Sequence, residues 1–216
     1  MAIENERKFI LLPKSDVGYM TDLELLGTTT VDKIFQAYLP GNARIRRIVN
    51  KYAYGYPDPD TQAWIEPESV MKFTYKLHTA GGLVEIETDL SQSDFDNLFP
   101  IAQRQIVKTR ITVPEGDLNW EVDFFHDEYN NNLYLVMAEV ELPEGVDAPD
   151  TIPAFITDHL LHVVDRDDRR FDNANLSDPA SVRANVAYLV KQQEVTKQDL
   201  EYFRQNLNRT LNINVN

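Results

Sequence analysis

Charged side chains recur at spacing two in seven short stretches of this 216-residue chain, and that pattern limits what it can fold into. In IENERKFIL, Glu4, Glu6 and Lys8 alternate with Ile3, Asn5, Arg7 and Phe9. ARIRRI carries Arg44 and Arg46 on one side, and MKFTYKL carries Lys72, Thr74 and Lys76 opposite Phe73, Tyr75 and Leu77. Glu85 pairs with Glu87, and Lys108 pairs with Arg110. Glu121 and Asp123 oppose Trp120, Val122 and Phe124, and Glu139 and Glu141 oppose Ala138, Val140 and Leu142. Successive side chains of an extended strand point to opposite faces, so each stretch reads as a strand with one charged row and an opposite row that is apolar, or in the first stretch only partly so. With the intervening period-two segments, the spacing predicts eight strands: 3–12, 33–40, 43–50, 70–79, 82–90, 106–113, 119–126 and 133–142.

A single charged dyad on a strand is ordinarily the solvated face of a sheet. Seven together raise a packing problem, because the opposite rows hold much of the large apolar material and must be covered. Helices packed outside an antiparallel sheet closed into a barrel cover those rows and leave the charges facing a lumen. The fold class expected is therefore α+β, an eight-stranded antiparallel closed barrel with helices outside.

Composition narrows the chemistry. The chain is 43% hydrophobic, enough for a packed core, and has no cysteine, which excludes disulfides and thiolate metal sites. No apolar run approaches the roughly 20 residues of a membrane-spanning helix. The charged N-terminus carries no secretory signal pattern, so a cytoplasmic location is expected. A net charge of −14 argues against a general nucleic-acid surface. In the lumen, acids and bases are grouped by strand. Mutual salt bridging is the plain explanation. Alternatively, clustered carboxylates call for a hard cation, and clustered arginines and lysines call for a polyanion such as a phosphate chain.

The same residues resemble the CYTH superfamily, the triphosphate tunnel metalloenzymes. The family's E-x-E-x-K reads Glu4, Glu6 and Lys8, and Q-x-Y-L with R-x-R reads Gln36, Tyr38, Leu39, Arg44 and Arg46. A lysine before an E-x-E pair reads Lys76, Glu85 and Glu87, and K-x-R reads Lys108 and Arg110. W-x-V-D-x-F runs from Trp120 with Asp123 in the acidic position, and A-E-I-E-L reads Ala138 through Leu142. A late Y-x-N-x-x-L appears as FDNANL, with Phe171 in place of tyrosine and Asn173 and Leu176 kept.

The resemblance implies a tunnel that binds a triphosphate with Mg²⁺ or Mn²⁺. Lys8, Arg44, Arg46, Lys76, Lys108 and Arg110 would hold phosphate, and Glu4, Glu6, Asp123, Glu139 and Glu141 would hold the metal. Glu85 and Glu87, with Lys76, would act in catalysis by binding a second cation or orienting water. Glu121 and Lys72 match no family position. The expected activity is hydrolysis of an inorganic or organic triphosphate; the rivals are an adenylyl cyclase making cyclic AMP and a non-catalytic nucleotide or polyphosphate binder. The partner expected is a small-molecule triphosphate, with neither membrane nor general nucleic acid.

The remaining segments read less sharply. Residues 51–69, rich in Tyr and Pro, form a surface loop or a stacking platform for a base. A helix over 91–103 opens on the S-x-x-D capping pattern, and another is expected over 153–164, carrying His159 and His162. Residues 1–178 form the tunnel domain, and 179–216 a two-piece helical extension that covers a tunnel end, packs on the barrel or forms a homodimer contact.

Overall fold

The structure, a computed structural model, describes residues 5–13, 16–50, 69–79, 82–127 and 132–194. Glu4, the 51–68 part of the Tyr- and Pro-rich segment and the second helical piece of the C-terminal extension lie outside the described residues. The fold is α+β, a single antiparallel sheet with a few helices. Its strands are β1 (Glu6–Leu11), β2 (Thr30–Leu39), β3 (Ala43–Asn50), β4 (Ser69–Thr79), β5 (Gly82–Asp89), β6 (Arg104–Glu115), β7 (Leu118–His126), β8 (Leu133–Glu141) and β9 (Leu160–Val163). The first eight fall on the eight predicted segments, with ends differing by a few residues.

Two expectations are corrected. The described residues form nine strands rather than eight, and the sheet is open rather than closed, in the order β5-β4-β3-β2-β6-β7-β8-β1-β9. Closure would need β5 to pair with the free edge of β1. That edge is taken by β9, with Phe9 opposite Val163 and Ile10 opposite His162, and the Val164 amide donates to the Lys8 carbonyl at 2.9 Å. The same segment corrects the helix expected over 153–164. Only α3 (Ala154–Thr157) is helical, and Leu160–Val163 is strand. A free β1 edge offers backbone pairing that outweighs the weak propensity of so short a helix.

Helices cover the convex face. On α1 (Asp16–Glu24), which the sequence reading did not anticipate, Tyr19 and Leu23 are buried against Phe9, Val31, Trp120, Val122 and Phe124. Over α2 (Gln92–Leu98), Phe95 packs on Ala37 and Ile45. The Ser91 hydroxyl caps that helix as anticipated, accepting from the Asp94 amide at 3.1 Å and donating to the Asp94 carboxylate at 2.6 Å. The concave face has two zones. At one end Ile10, Ile106, Phe125 and Met137 meet Phe171 and Leu176 and a helix over residues 179–194, α4, which buries Val182 and Leu189 there. The charged rows occupy the rest.

Candidate phosphate-binding site

Strand register places the charged rows side by side. Across the sheet one row runs Glu87, Thr74, Arg44 and Tyr38, and the next runs Asp89, Lys72, Arg46 and Gln36. Further along the strands Arg110 lies opposite Asp123, Glu121 opposite Glu139, and Lys8 opposite Glu139. The curved sheet brings its two ends onto one cavity of about 650 Å³. Glu6, Lys8, Arg44, Arg46, Lys76, Glu85, Glu87, Lys108, Arg110, Glu139 and Glu141 all line it, so every described candidate except Asp123 meets there.

Grouping charges by strand puts opposite signs on neighbouring strands, and most of them pair. Buried Asp123 receives Lys108 Nζ at 2.5 Å and Arg110 through Nε at 2.7 Å and Nη2 at 2.6 Å. Burial alone would raise its carboxyl, but Arg110 and Lys108 hold it down at about 2. Both Asp123 oxygens are thus committed beneath the cavity floor, where the residue orients two cations. Arg110 also contacts Glu121 and reaches Glu139 at 3.1 Å. Burial and the adjacent Arg110 push Lys108 down despite Asp123. Lys8 lies 3.3 Å from both Glu6 and Glu139, and those two carboxylates outweigh the effect of burial and raise it. On the other side Lys76 meets Glu85 at 3.5 Å, and Lys72 meets Asp89 at 2.8 Å. For these groups salt bridging holds.

It fails at β3. Its neighbours across the sheet are Gln36 and Tyr38 on β2 and Lys72 and Thr74 on β4, none of them acidic. Among the described residues no carboxylate lies within ion-pair distance of Arg44 or Arg46. Arg44 reaches only the Thr74 hydroxyl, at 3.5 Å, and its Nε is buried without a partner. Arg46 donates to the Gln36 side-chain oxygen at 3.2 Å, and Gln36 in turn donates to the Tyr38 hydroxyl at 2.6 Å. Burial, then the Arg44 and Arg110 charges, lower the Arg46 guanidinium to about 10. Two crowded, unneutralised arginines in a chain of net charge −14 form a seat for an anion.

Glu6 and Glu141 face each other across β1 and β8, and Glu139 is two residues along, its buried Oε1 paired with Lys8 at 3.3 Å. That donor chemistry suits Mg²⁺ or Mn²⁺, and Asp123 does not contribute to it. Among the described residues no cluster of three or more such groups is assembled. Neither His159 nor His162 lines this cavity, and His159 sits tilted, 4.3 Å from the Tyr19 ring, on the convex side. The sequence reading had not assigned a site role to Gln36, Tyr38, Thr74 or Asn173, although three of these four stand in motifs it quoted. Tyr38 and Asn173 line the cavity, while Gln36 and Thr74 are the hydrogen-bond partners of its arginines. Burial raises the Tyr38 hydroxyl to about 12, so it stays a neutral donor.

No protein-family model and no curated protein matches the chain. Similar solved structures include a Bacillus halodurans protein described as an adenylate cyclase, with 13% identity and a TM-score of 0.36 over 67% of this chain and 82% of that one. The Schizosaccharomyces pombe Mediator head module gives 10% identity and a TM-score of 0.40 over 88% of this chain and 94% of that one. The mimivirus capping enzyme triphosphatase gives 9% and 0.34 over 67% and 84%. Likenesses this faint carry no functional argument, which rests on the cavity. No described helix is long and apolar enough to cross a membrane.

Proposed function

We propose that this chain is a triphosphate tunnel metalloenzyme relative that hydrolyses a small-molecule triphosphate in the concave cavity. One observation carries the reading: Arg44 and Arg46 are half-buried, two residues apart on one face of β3, and among the described residues neither has a carboxylate partner. Desolvated charges without partners are costly, so their natural complement is a ligand of opposite sign. Arg44 and Arg46 would grip the middle of the phosphate chain, with Lys8, Lys76, Lys108 and Arg110 arrayed around it. These cations neutralise charge on the transferred phosphoryl group, which is where catalysis of phosphoryl transfer chiefly acts. Glu85 and Glu87 sit on β5 across the cavity from Lys8, where a carboxylate orients water and accepts its proton. Water oxygen bonds the terminal phosphorus as the bridging P–O bond breaks, and the leaving phosphate chain departs with the electron pair. Mg²⁺ or Mn²⁺, held by Glu6, Glu139 and Glu141 with Glu4, would supply further charge neutralisation.

The test is product analysis after incubation with Mg²⁺ or Mn²⁺ and, separately, inorganic triphosphate, ATP and thiamine triphosphate. Metal-dependent release of orthophosphate is the expected result. Cyclic AMP with diphosphate from ATP would replace hydrolase by cyclase. Tight metal-dependent binding without turnover would leave a binder.

A further inference from the structure

The inward row of β6 continues past the cavity. Reading back from Arg110 by twos gives Lys108, Ile106 and then Arg104, which lies opposite Tyr38 in the register with β2. Arg104 stands six residues from Arg110, about 20 Å along the strand, and across β2 from Arg44, about 10 Å away; it does not line the main cavity. It lines a second cavity of about 590 Å³ that shares Tyr38, Arg44, Lys76 and Asp172 with the first. The β2–β3 turn forms part of its wall, with Gly41 at φ 78° and Asn42 at φ 63° bringing bare backbone to the opening. Beyond it, Gln103, Arg104 and Ala174 also border a third cavity of about 680 Å³ that adds Arg169 and Arg170.

The charges along this route are unequal in use. Arg170 is held by Asp168, with contacts at 2.7 and 2.9 Å. Arg104 donates only to the Ala174 carbonyl at 3.5 Å, and among the described residues neither it nor Arg169 has a carboxylate within ion-pair distance. The opposite mouth is acidic: Glu6, Asp117, Glu121, Glu139 and Glu141 border a cavity of about 480 Å³ continuous with the main one. Asp172 and Asp178 border the mouth at Arg104, but neither lies within ion-pair distance of Arg104 or Arg169, so among the described residues unpaired cations stand at that mouth and carboxylates crowd the other.

We infer that Arg104 and Arg169 form an anion subsite outside the main cavity, taking a phosphate group that the substrate carries beyond its triphosphate. This rests on the triphosphate reading above. It fixes the orientation: the terminal phosphate points toward the acidic mouth and the rest of the substrate leaves past Arg44, Lys76 and Arg104. Such a phosphate comes from either of two sources, a longer inorganic chain or an organic substituent that is itself phosphorylated.

Calorimetric titration with Mg²⁺ at low and at physiological salt tests the subsite. The probes are inorganic triphosphate, linear polyphosphates of graded length, and ATP with and without a 3′-phosphate. Exposed charge contacts are individually weak and salt-screened, so about a fivefold to tenfold gain over triphosphate is expected at low salt, shrinking as salt rises. In the double variant Arg104→Gln, Arg169→Gln that gain should vanish while triphosphate affinity moves less than about twofold. A gain with long polyphosphate alone assigns the inorganic chain, and a gain with the 3′-phosphate alone assigns the organic substituent. No gain for any probe, or a gain that survives in the double variant, overturns the subsite. Should triphosphate itself not bind the native protein, the underlying reading fails instead, and Arg44→Ala with unchanged triphosphate affinity would say the same.

Discussion

At the residue scale, this chain separates charges that are already satisfied from charges that wait for a ligand. Asp123 belongs to the first kind. Its pKa is held near 2, against about 3.9 in an unfolded chain, so its ion pairs stabilise the fold above about pH 4. That stability is lost as the pH falls through about 2. Asp123→Asn leaves Lys108 buried without an anion and should cost about 3–5 kcal/mol near neutrality. Urea midpoints from neutral pH into the acid range check this; the gap between variant and native protein should narrow with acidification, and a constant gap would refute the ion-pair account. Arg46 belongs to the second kind. Its guanidinium is depressed to about 10 by burial and neighbouring cations, so its charge works against the apo fold at every pH below that value. Arg46→Met should therefore preserve or raise the apo melting temperature. It should weaken triphosphate binding by about tenfold to a hundredfold, since charge-assisted contacts contribute about 1.5–3 kcal/mol. A lower apo melting temperature with unaltered affinity would make Arg46 a structural residue.

At the scale of elements, the sheet divides its concave face between chemistry and packing. Alternation supplies an inward row on every strand, but where that row is charged depends on distance along it. On β6 the row passes from Arg110 and Lys108 to Ile106, which meets Phe171, Leu176 and α4 in the apolar zone. Leu189 on α4 is nearly fully buried there, so Leu189→Ala should cost about 2–5 kcal/mol through lost transfer energy and the cavity left behind. Because the charged zone is separate, inorganic triphosphate affinity per folded molecule should hold. Denaturant melts and titrations on the same samples distinguish the two, and a binding loss as large as the stability loss would mean that α4 shapes the cavity.

For the whole molecule, ligand and metal should act on stability through different residues. Mg²⁺ with triphosphate should raise unfolding free energy by about 2.7 kcal/mol at a hundredfold excess over Kd. Mg²⁺ alone should do less, because Lys8 already sits 3.3 Å from both Glu6 and Glu139 and competes with a cation. Lys8→Met removes that competitor and one phosphate contact together. The melting shift with Mg²⁺ alone should then grow while the further shift with triphosphate shrinks. Thermal melts of both proteins under each condition check this, and identical shifts in the two would remove Lys8 from the site.

Local pattern located the eight strands, the inward charged rows of seven of them and the capped helix at Ser91, because a period of two and a hydroxyl three residues before a carboxylate are local facts. The ordered motifs also pointed to the residues that meet in one cavity, with Glu4 outside the described residues and Asp123 turned to pairing beneath the floor. Which charges are spoken for depends on how the strands pair. Neighbouring strands set opposite signs side by side on β6 and β7 and on β4 and β5, and leave Arg44 and Arg46 on β3 between neutral and basic partners. The open sheet was likewise beyond local pattern. Leu160–Val163 is short enough to read as the end of a helix, and its capture by the β1 edge depends on a partner some 150 residues away in the chain.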